Sequence, residues 1–405
     1  MGNDNIIVGL EIGTSQICMA VGEVQGDGTI RILGVGTAPS RGVRKGEIVD
    51  FETVGTCIRE AQVDAEEKSD VMIESLFLGV TGAHIESFNN RGMINIPETR
   101  EEIVEEDFEE VQKSAREVSI PSRNSLLHSI LQHYYVDGQD GVLNPVGLLA
   151  RKLEADFHII HGVTNRIQNS IRCVKEVGPV VLEVVFNPVA SAQVVLDQNQ
   201  KSLGALVVDM GGGTTDYIVY TDGVLKQSGC LPLGGDHITN DISLGLRIPM
   251  ARAEKLKIAE GSVTVGASAP GDVIVLKDET GFAGRQIERE MLNTIVHCRV
   301  REIFELLKRR IDAEGHLPYL GAGIMLTGGC SRTPGIDRLA EEIFGIPAQL
   351  AFAHDVSGAT SAFENPQYSA AIGLIKYAAA LQPERPRSLL SRVFSRFSFL
   401  WMWMF

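Results

Sequence analysis

Between Leu206 and Tyr220 the chain passes through a sharply patterned stretch. An apolar, strand-like run ending in Asp209 enters three consecutive glycines, Gly211, Gly212 and Gly213. A threonine pair, Thr214 and Thr215, and a second acid, Asp216, follow before the sequence turns β-branched and aromatic again. The pattern predicts strand, tight turn, strand. Near the start, Ile6 to Gly22 repeats it: an apolar strand carrying Glu11, then Gly13-Thr14-Ser15, then a second apolar strand. Each copy leads through a turn into a third strand, DGTIRILGVGTA after the first and DGVLKQSGCLPLGG after the second. A repeat at this separation predicts two similar domains facing one another across a cleft, each offering one glycine turn to it.

A helical stretch at about 51–67 and a strand at 75–82 set an α/β order. From about 83 to 162 the texture is more polar. An acidic helix is predicted at 99–118, where Glu101, Glu102, Glu105, Glu106, Asp107, Glu109 and Glu110 cluster. Such a run ordinarily makes a solvated face; a docking surface for a basic partner is the alternative. The alternating strand LEADFHIIHGV closes the segment, and a helix at 165–177 resumes the α/β style. Residues 83–162 therefore read as a subdomain inserted into a first lobe of 1–82 and 163–195. A second lobe takes 196–235 and 301–380, with a small subdomain at 236–300. There, LPLGGDHITNDISLGL predicts a glycine turn at Gly235 opening a helix whose N-terminus could face an anion. Pro249 ends that helix and MARAEKLKIAEG begins another. A Gly-rich stretch with the strand-like VIVL follows, and a long helix at 286–315 leads back to the main lobe. GAGIMLTGGCSRTPG then gives a strand, Gly328-Gly329, and Thr333-Pro334 as N-cap and first residue of another helix.

The 405 residues suffice for two to four units at ~100–200 residues each. A net charge of −15 argues against general nucleic-acid binding, which needs a basic surface. The six cysteines are scattered, without a CxxC or a histidine at ligand spacing, and read as reduced, mostly buried thiols of a cytosolic protein. The N-terminus carries no signal-peptide pattern, and Ile6 stands where a myristoylation site needs Ser or Thr. No run of ~20 apolar residues spans a bilayer.

Candidate chemistry concentrates at the glycine turns. Residues without a Cβ let backbone N–H groups point at one bulky anion, so Gly13, Thr14, Ser15, Gly212, Gly213 and Thr214 are expected to bind phosphates. Asp209 and Asp216 beside a phosphate would repel it without Mg²⁺, which takes carboxylate and phosphate oxygens and keeps several waters; Glu11 and Asp209 would hold that ion through its waters. Asp209 or Asp216 could orient an attacking water. Gly328 and Gly329 would flank an adenosine. Glu254 and Lys257, three residues apart, are either a surface ion pair or contacts to ribose and base.

GLEIGTS, VVDMGGGTTD and IMLTGG, in this order, resemble the two phosphate motifs and the adenosine motif of the actin, sugar-kinase and heat-shock-chaperone superfamily. Within it, SRGVRKGEIVD, NPVGLLARKLEADFHII and YSAAIGLIKYA resemble the FtsA family of bacterial cell-division proteins, with Glu11 in place of the commoner Asp. The resemblance covers about 6–380. It implies an α/β, actin-like, two-lobed ATPase fold with an FtsA-type inserted subdomain, ATP and Mg²⁺ as ligands, and self-assembly into filaments. It also implies docking of the C-terminal tail of the tubulin-like FtsZ on the second lobe's small subdomain, contacts with other division proteins, and a place at the division site. Two other readings are a small-molecule kinase of the same superfamily and a type IV pilus assembly ATPase. No general base or polar substrate pocket can be named for the kinase, and the insertion argues against the pilus protein.

After a Pro/Arg linker at 381–387, the segment 388–405 reads as a C-terminal amphipathic helix. Leu389, Leu390, Val393, Phe394, Phe397, Leu400, Trp401 and Met404 share one stripe, with Arg392, Arg396 and four serines opposite. Interfacial helices have this form. Four arginines of the linker and helix would add ~1 kcal/mol each on an anionic membrane surface. Within the resemblance, such a helix places the protein peripherally on the cytoplasmic face of the inner membrane.

Overall fold

The computed structural model describes residues 5–100, 102–266, 269, 271–278, 284–359 and 363–381. The amphipathic helix expected at 388–405, with 382–387 before it, lies outside them. Both copies of the strand–turn–strand pattern form as read. Ile6–Ile12 pairs antiparallel with Gln16–Val24, and Ala205–Met210 with Thr215–Thr221. A third antiparallel strand extends each hairpin, Ile30–Pro39 in one and Val224–Leu231 in the other. On its far side the leading strand of each hairpin takes a parallel partner, Ser75–Val80 or Gly323–Thr327. Two sheets of matching topology result, one six-stranded and one five-stranded.

Alternation along Ala205–Met210 ties the two lobes together. Leu206 and Val208 enter the second lobe's core, whereas Ala205 and Val207 face the core of the first. Two helices, Asn187–Val195 and Ser369–Leu381, pack against each other, the second lying on the first sheet and the first also meeting the second. Their approach is close enough that a Cβ at Gly373 would collide with the Ala190 carbonyl. Ser369–Leu381 was expected with the second lobe. Its Ala371, Ile372, Leu374, Ile375 and Ala378 are instead buried in the first lobe's core, and Val356–Gly358 joins the first sheet beside Ile30–Pro39. The chain therefore returns to the first lobe well before 380. The helix is apolar over most of its surface, with Lys376 at its margin paired to Asp355, which suits a position between two layers.

The segment after Gly82 folds on its own four-stranded sheet: Ile85–Asn95, Lys152–Val163, Asn124–Val136 and Gln139–Val142 in that spatial order. Lys152–Val163 is central and buried on both faces rather than on alternate residues. The acidic helix is shorter than the pattern predicts, Glu105–Arg116. The Asp107 carboxylate accepts the Val104 N–H at 2.9 Å and pairs with Arg100, which fixes the start. Phe108, Val111 and Ala115 bury one of its faces. The subdomain also grips the second lobe. Ser87 Oγ donates to Ser228 O at 2.7 Å and Asn89 Nδ2 to Lys226 O at 3.0 Å, Gln132 Nε2 reaches Leu225 O, and His158 bridges Asn89 and Ser228.

In the second lobe the long helix is Arg289–Ala313, because Arg285–Glu288 pairs with Val273–Leu276 as a two-stranded ribbon.

The helix Phe51–Ser69, N-capped by Asp50, buries Val54, Cys57, Ile58, Ala61 and Ala65 against the strand Ile30–Pro39. Contact is closest at Gly36, where a Cβ would overlap the backbone of Ala61 and Ala65. Gly36→Val is expected to cost ~1–3 kcal/mol as an overpacked core site. Urea denaturation would read this against Gly26→Ala, a position with open space around it.

Candidate functional site

The two glycine turns meet at the lobe junction. A Cβ at Gly212 would collide with the Ser15 hydroxyl, and one at Gly213 with the Thr14 hydroxyl. Thr14 Oγ1 also accepts the Gly46 N–H at 3.1 Å, which draws the SRGVRKGE loop against the same point. Among the described residues no protein acceptor takes the N–H groups of Thr14, Ser15, Gly212 or Gly213. Thr14, Ser15 and Gly212 border a cleft of about 590 Å³, within the range that holds a nucleotide-sized ligand; Gly213 is not among its lining residues and packs on Thr14 and Lys45.

Glu11, Asp209 and Asp216 line the inner end of the cleft. Neutral groups donate to each carboxylate: Asn187 Nδ2 to Glu11 at 3.3 Å, Ser191 Oγ to Asp209 at 2.7 Å, and Thr81 Oγ1 at 2.5 Å together with the Cys230 thiol to Asp216. Among the described residues none of the three is ion-paired. Burial pushes all three up. Glu11 lies well above the usual carboxylate range, raised first by desolvation and then by the charges of Asp209 and Asp216. Asp209 is pushed up to about 6, and Asp216, only 3% exposed, to about 7.

Three buried acids without a cation are a site for protons or for a cation. Among the described residues no group of three His, Cys, Asp or Glu side chains is arranged to hold a bare ion. A hydrated Mg²⁺ fits this donor set, since it reaches carboxylates through its own waters. Glu11 and Asp209 would face it.

Gly328 and Gly329 border the cleft where the strand Gly323–Thr327 ends. Gly328 has a φ of 82°, and a Cβ there would overlap Asp209 Oδ1 and the backbone of Met210. Glu254 and Lys257 also line it and pair with each other at 2.6 Å. Lys257 Nζ donates further to Thr239 Oγ1 and Gly235 O, at 2.9 and 3.2 Å, clamping the helices Gly235–Leu246 and Met250–Glu260 together.

The helix beginning at Gly235 does not present free N–H groups to an anion. Its first two donate to the Gly211 and Gly212 carbonyls at 3.0 and 2.7 Å, so its N-terminus braces the glycine turn from behind. Asp241 pairs with Arg299. Thr81, Asn187 and Ser191 were not singled out from sequence. Thr81 follows the end of Ser75–Val80, where α/β sheets place ligand contacts, a signal that could have marked it. Thr37, Pro39, Arg332 and Gln367 also line the cleft.

The family model for the cell division protein FtsA matches residues 206–373, and that for the SHS2 domain inserted in FtsA matches 82–161, the span of the four-stranded subdomain. The cell division protein FtsA of Pseudomonas aeruginosa is 37% identical over 94% of this chain and 90% of its own length. This chain belongs to the FtsA family. Solved structures place the FtsA fold among actin-like proteins. The PilM–PilN type IV pilus biogenesis complex matches with a TM-score of 0.62 at 15% identity, covering 91% of this chain and 97% of that one. MreB5 of Spiroplasma citri bound to AMPPNP matches with 0.54 at 14%, covering 92% and 95%.

Protonation of the buried acids links stability to pH. Asp209 and Asp216 start from 3.8 and rise on folding, so the folded chain retains protons that the unfolded chain releases. Without Mg²⁺ their contribution is complete below about pH 4 and is lost as pH climbs through 6 and 7. Urea unfolding in EDTA at pH 5, 6, 7 and 8 should show stability falling across that window. Asp216→Asn should flatten the fall, and an unchanged slope would exclude Asp216 as its source.

Proposed function

We propose that this FtsA-family chain binds ATP with Mg²⁺ between its lobes. The observation that carries the reading is the contact between two glycine turns from duplicated hairpins, directly beside three buried acids that, among the described residues, no basic side chain pairs with. Their free N–H groups would take the phosphates, with the Thr14, Ser15 and Thr214 hydroxyls nearby. Mg²⁺ would screen Glu11 and Asp209 from the phosphate oxygens. Gly328, Gly329, Glu254, Lys257 and Gly235 form or back the wall on the adenosine side. The AMPPNP bound to the MreB5 relative supports a nucleotide in this fold.

Asp216, pushed up to about 7, has the proton affinity to draw a proton from water. We take hydrolysis to be slow, with the nucleotide acting as a switch on the lobe angle. The protein would polymerise on the cytoplasmic face of the inner membrane and tether the FtsZ ring to it, helping to recruit later division proteins. Leu389, Leu390, Arg392, Val393, Phe394, Arg396, Phe397, Leu400 and Trp401 would make the membrane contact as a peripheral anchor. Among the described residues no helix is long and apolar enough to cross a membrane. Exposed Leu244, Met250, Val273, Val275 and Met291 on the small subdomain support docking of the FtsZ tail there.

Two experiments check these points. Calorimetry with ATP and Mg²⁺ should give saturable heat that Gly212→Val abolishes, since that side chain would displace Ser15; no heat from the unmodified chain would refute the nucleotide reading. Flotation with anionic vesicles should carry the full-length chain but not one ending at Gln382. Equal flotation of both would remove the tail from the mechanism.

A further inference from the structure

Asn187 and Ser191 stand one helical turn apart on Asn187–Val195, hence on one face of it. From that face Asn187 Nδ2 donates to Glu11 of the first lobe, and Ser191 Oγ donates to Asp209 of the second. Neither side chain lines the cleft. Asn187 is 2% exposed and Ser191 fully buried, so both act only through the carboxylates they touch. Their helix is buried at every position but Gln193 and braced by Ser369–Leu381, which leaves it little freedom to shift one donor without the other. Among the described residues Asn187 Oδ1 has no hydrogen-bond partner, and it presses on Gly79, where a Cβ would overlap it. An unmet buried acceptor is destabilising. Packing alone gives no reason for an amide here, whereas its N–H₂ on Glu11 does.

We propose that Asn187 and Ser191 are positioning residues, a single rigid rule that fixes the separation of Glu11 and Asp209 across the lobe junction and thereby sets the affinity for hydrated Mg²⁺. The proposal rests on the nucleotide reading of the cleft and adds which residues make its metal dependence. A hydrated ion touches the two carboxylates through waters of fixed length, so it senses their spacing. Asp209 also moves with its lobe, so Ser191 makes that spacing a function of the lobe angle. Thr81, which reaches from the first lobe to Asp216, repeats the same cross-lobe link.

Calorimetric titration of the full-length chain with ATP, over a series of free Mg²⁺ concentrations and in EDTA, tests this. Partners behind metal-binding groups typically change metal affinity by 10–100-fold. Asn187→Ala and Ser191→Ala should each raise the Mg²⁺ needed for half-maximal ATP affinity by at least about tenfold, with affinity in EDTA unchanged. Ser191→Cys, near in volume and a weaker donor, should give an intermediate shift and covers the case in which alanine unfolds the helix. The double alanine variant should lose less than the product of the single losses, since one ion senses both acids. A Mg²⁺ requirement within twofold of the unmodified chain, or an equal loss of affinity in EDTA, overturns the proposal while leaving the nucleotide reading intact. An unmodified chain that binds ATP identically with and without Mg²⁺ overturns the proposal together with the metal assignment.

Discussion

Three carboxylates are buried where the lobes meet, and no side chain among the described residues neutralises them. That electrostatic debt organises the rest. Ionised acids in a low-dielectric junction repel one another and lack water, so their own proton affinities rise. A divalent ion relieves both effects at once. Among the described residues the protein supplies neutral hydroxyl, amide and thiol donors to them, which orient the oxygens without cancelling their charge. The lobe junction therefore carries a charge that the side chains around it, among the described residues, do not cancel.

Around this junction the packing is rigid rather than loose. The sheet strands that carry Glu11 and Asp209 are buried on both faces, and Asn187–Val195 and Ser369–Leu381 pack between them with backbone in contact. Close-packed elements transmit displacement instead of absorbing it. A displacement at the carboxylates therefore has few ways to relax locally.

Much of this was readable from sequence because strand ends and glycine turns concentrate chemistry in short stretches. Glu11, Gly13, Asp209 and Gly212 announce themselves by alternation broken at a glycine. The donors to the acids do not. Thr81, Asn187 and Ser191 lie far from their partners in the chain, and a lone Thr, Asn or Ser near a helix start reads as a cap. Gly235 misled for a related reason: a helix N-terminus suggests an anion, and sequence cannot show that the Gly211 and Gly212 carbonyls occupy its N–H groups. Ser369–Leu381 follows second-lobe residues in order, yet its predominantly apolar surface suits a place between layers. The acidic stretch began later than its charges implied because Asp107 turns inward to Arg100 and Val104.

The inserted subdomain is covalently rooted in one lobe, yet Ser87, Asn89 and Gln132 occupy the outer carbonyls of Val224–Leu231 in the other. That strand is the terminal one of its sheet. With those carbonyls satisfied, a neighbouring molecule cannot zip a further strand onto this margin. Association of copies at this margin has to be built from side chains, which keeps it distinct from amyloid-like growth.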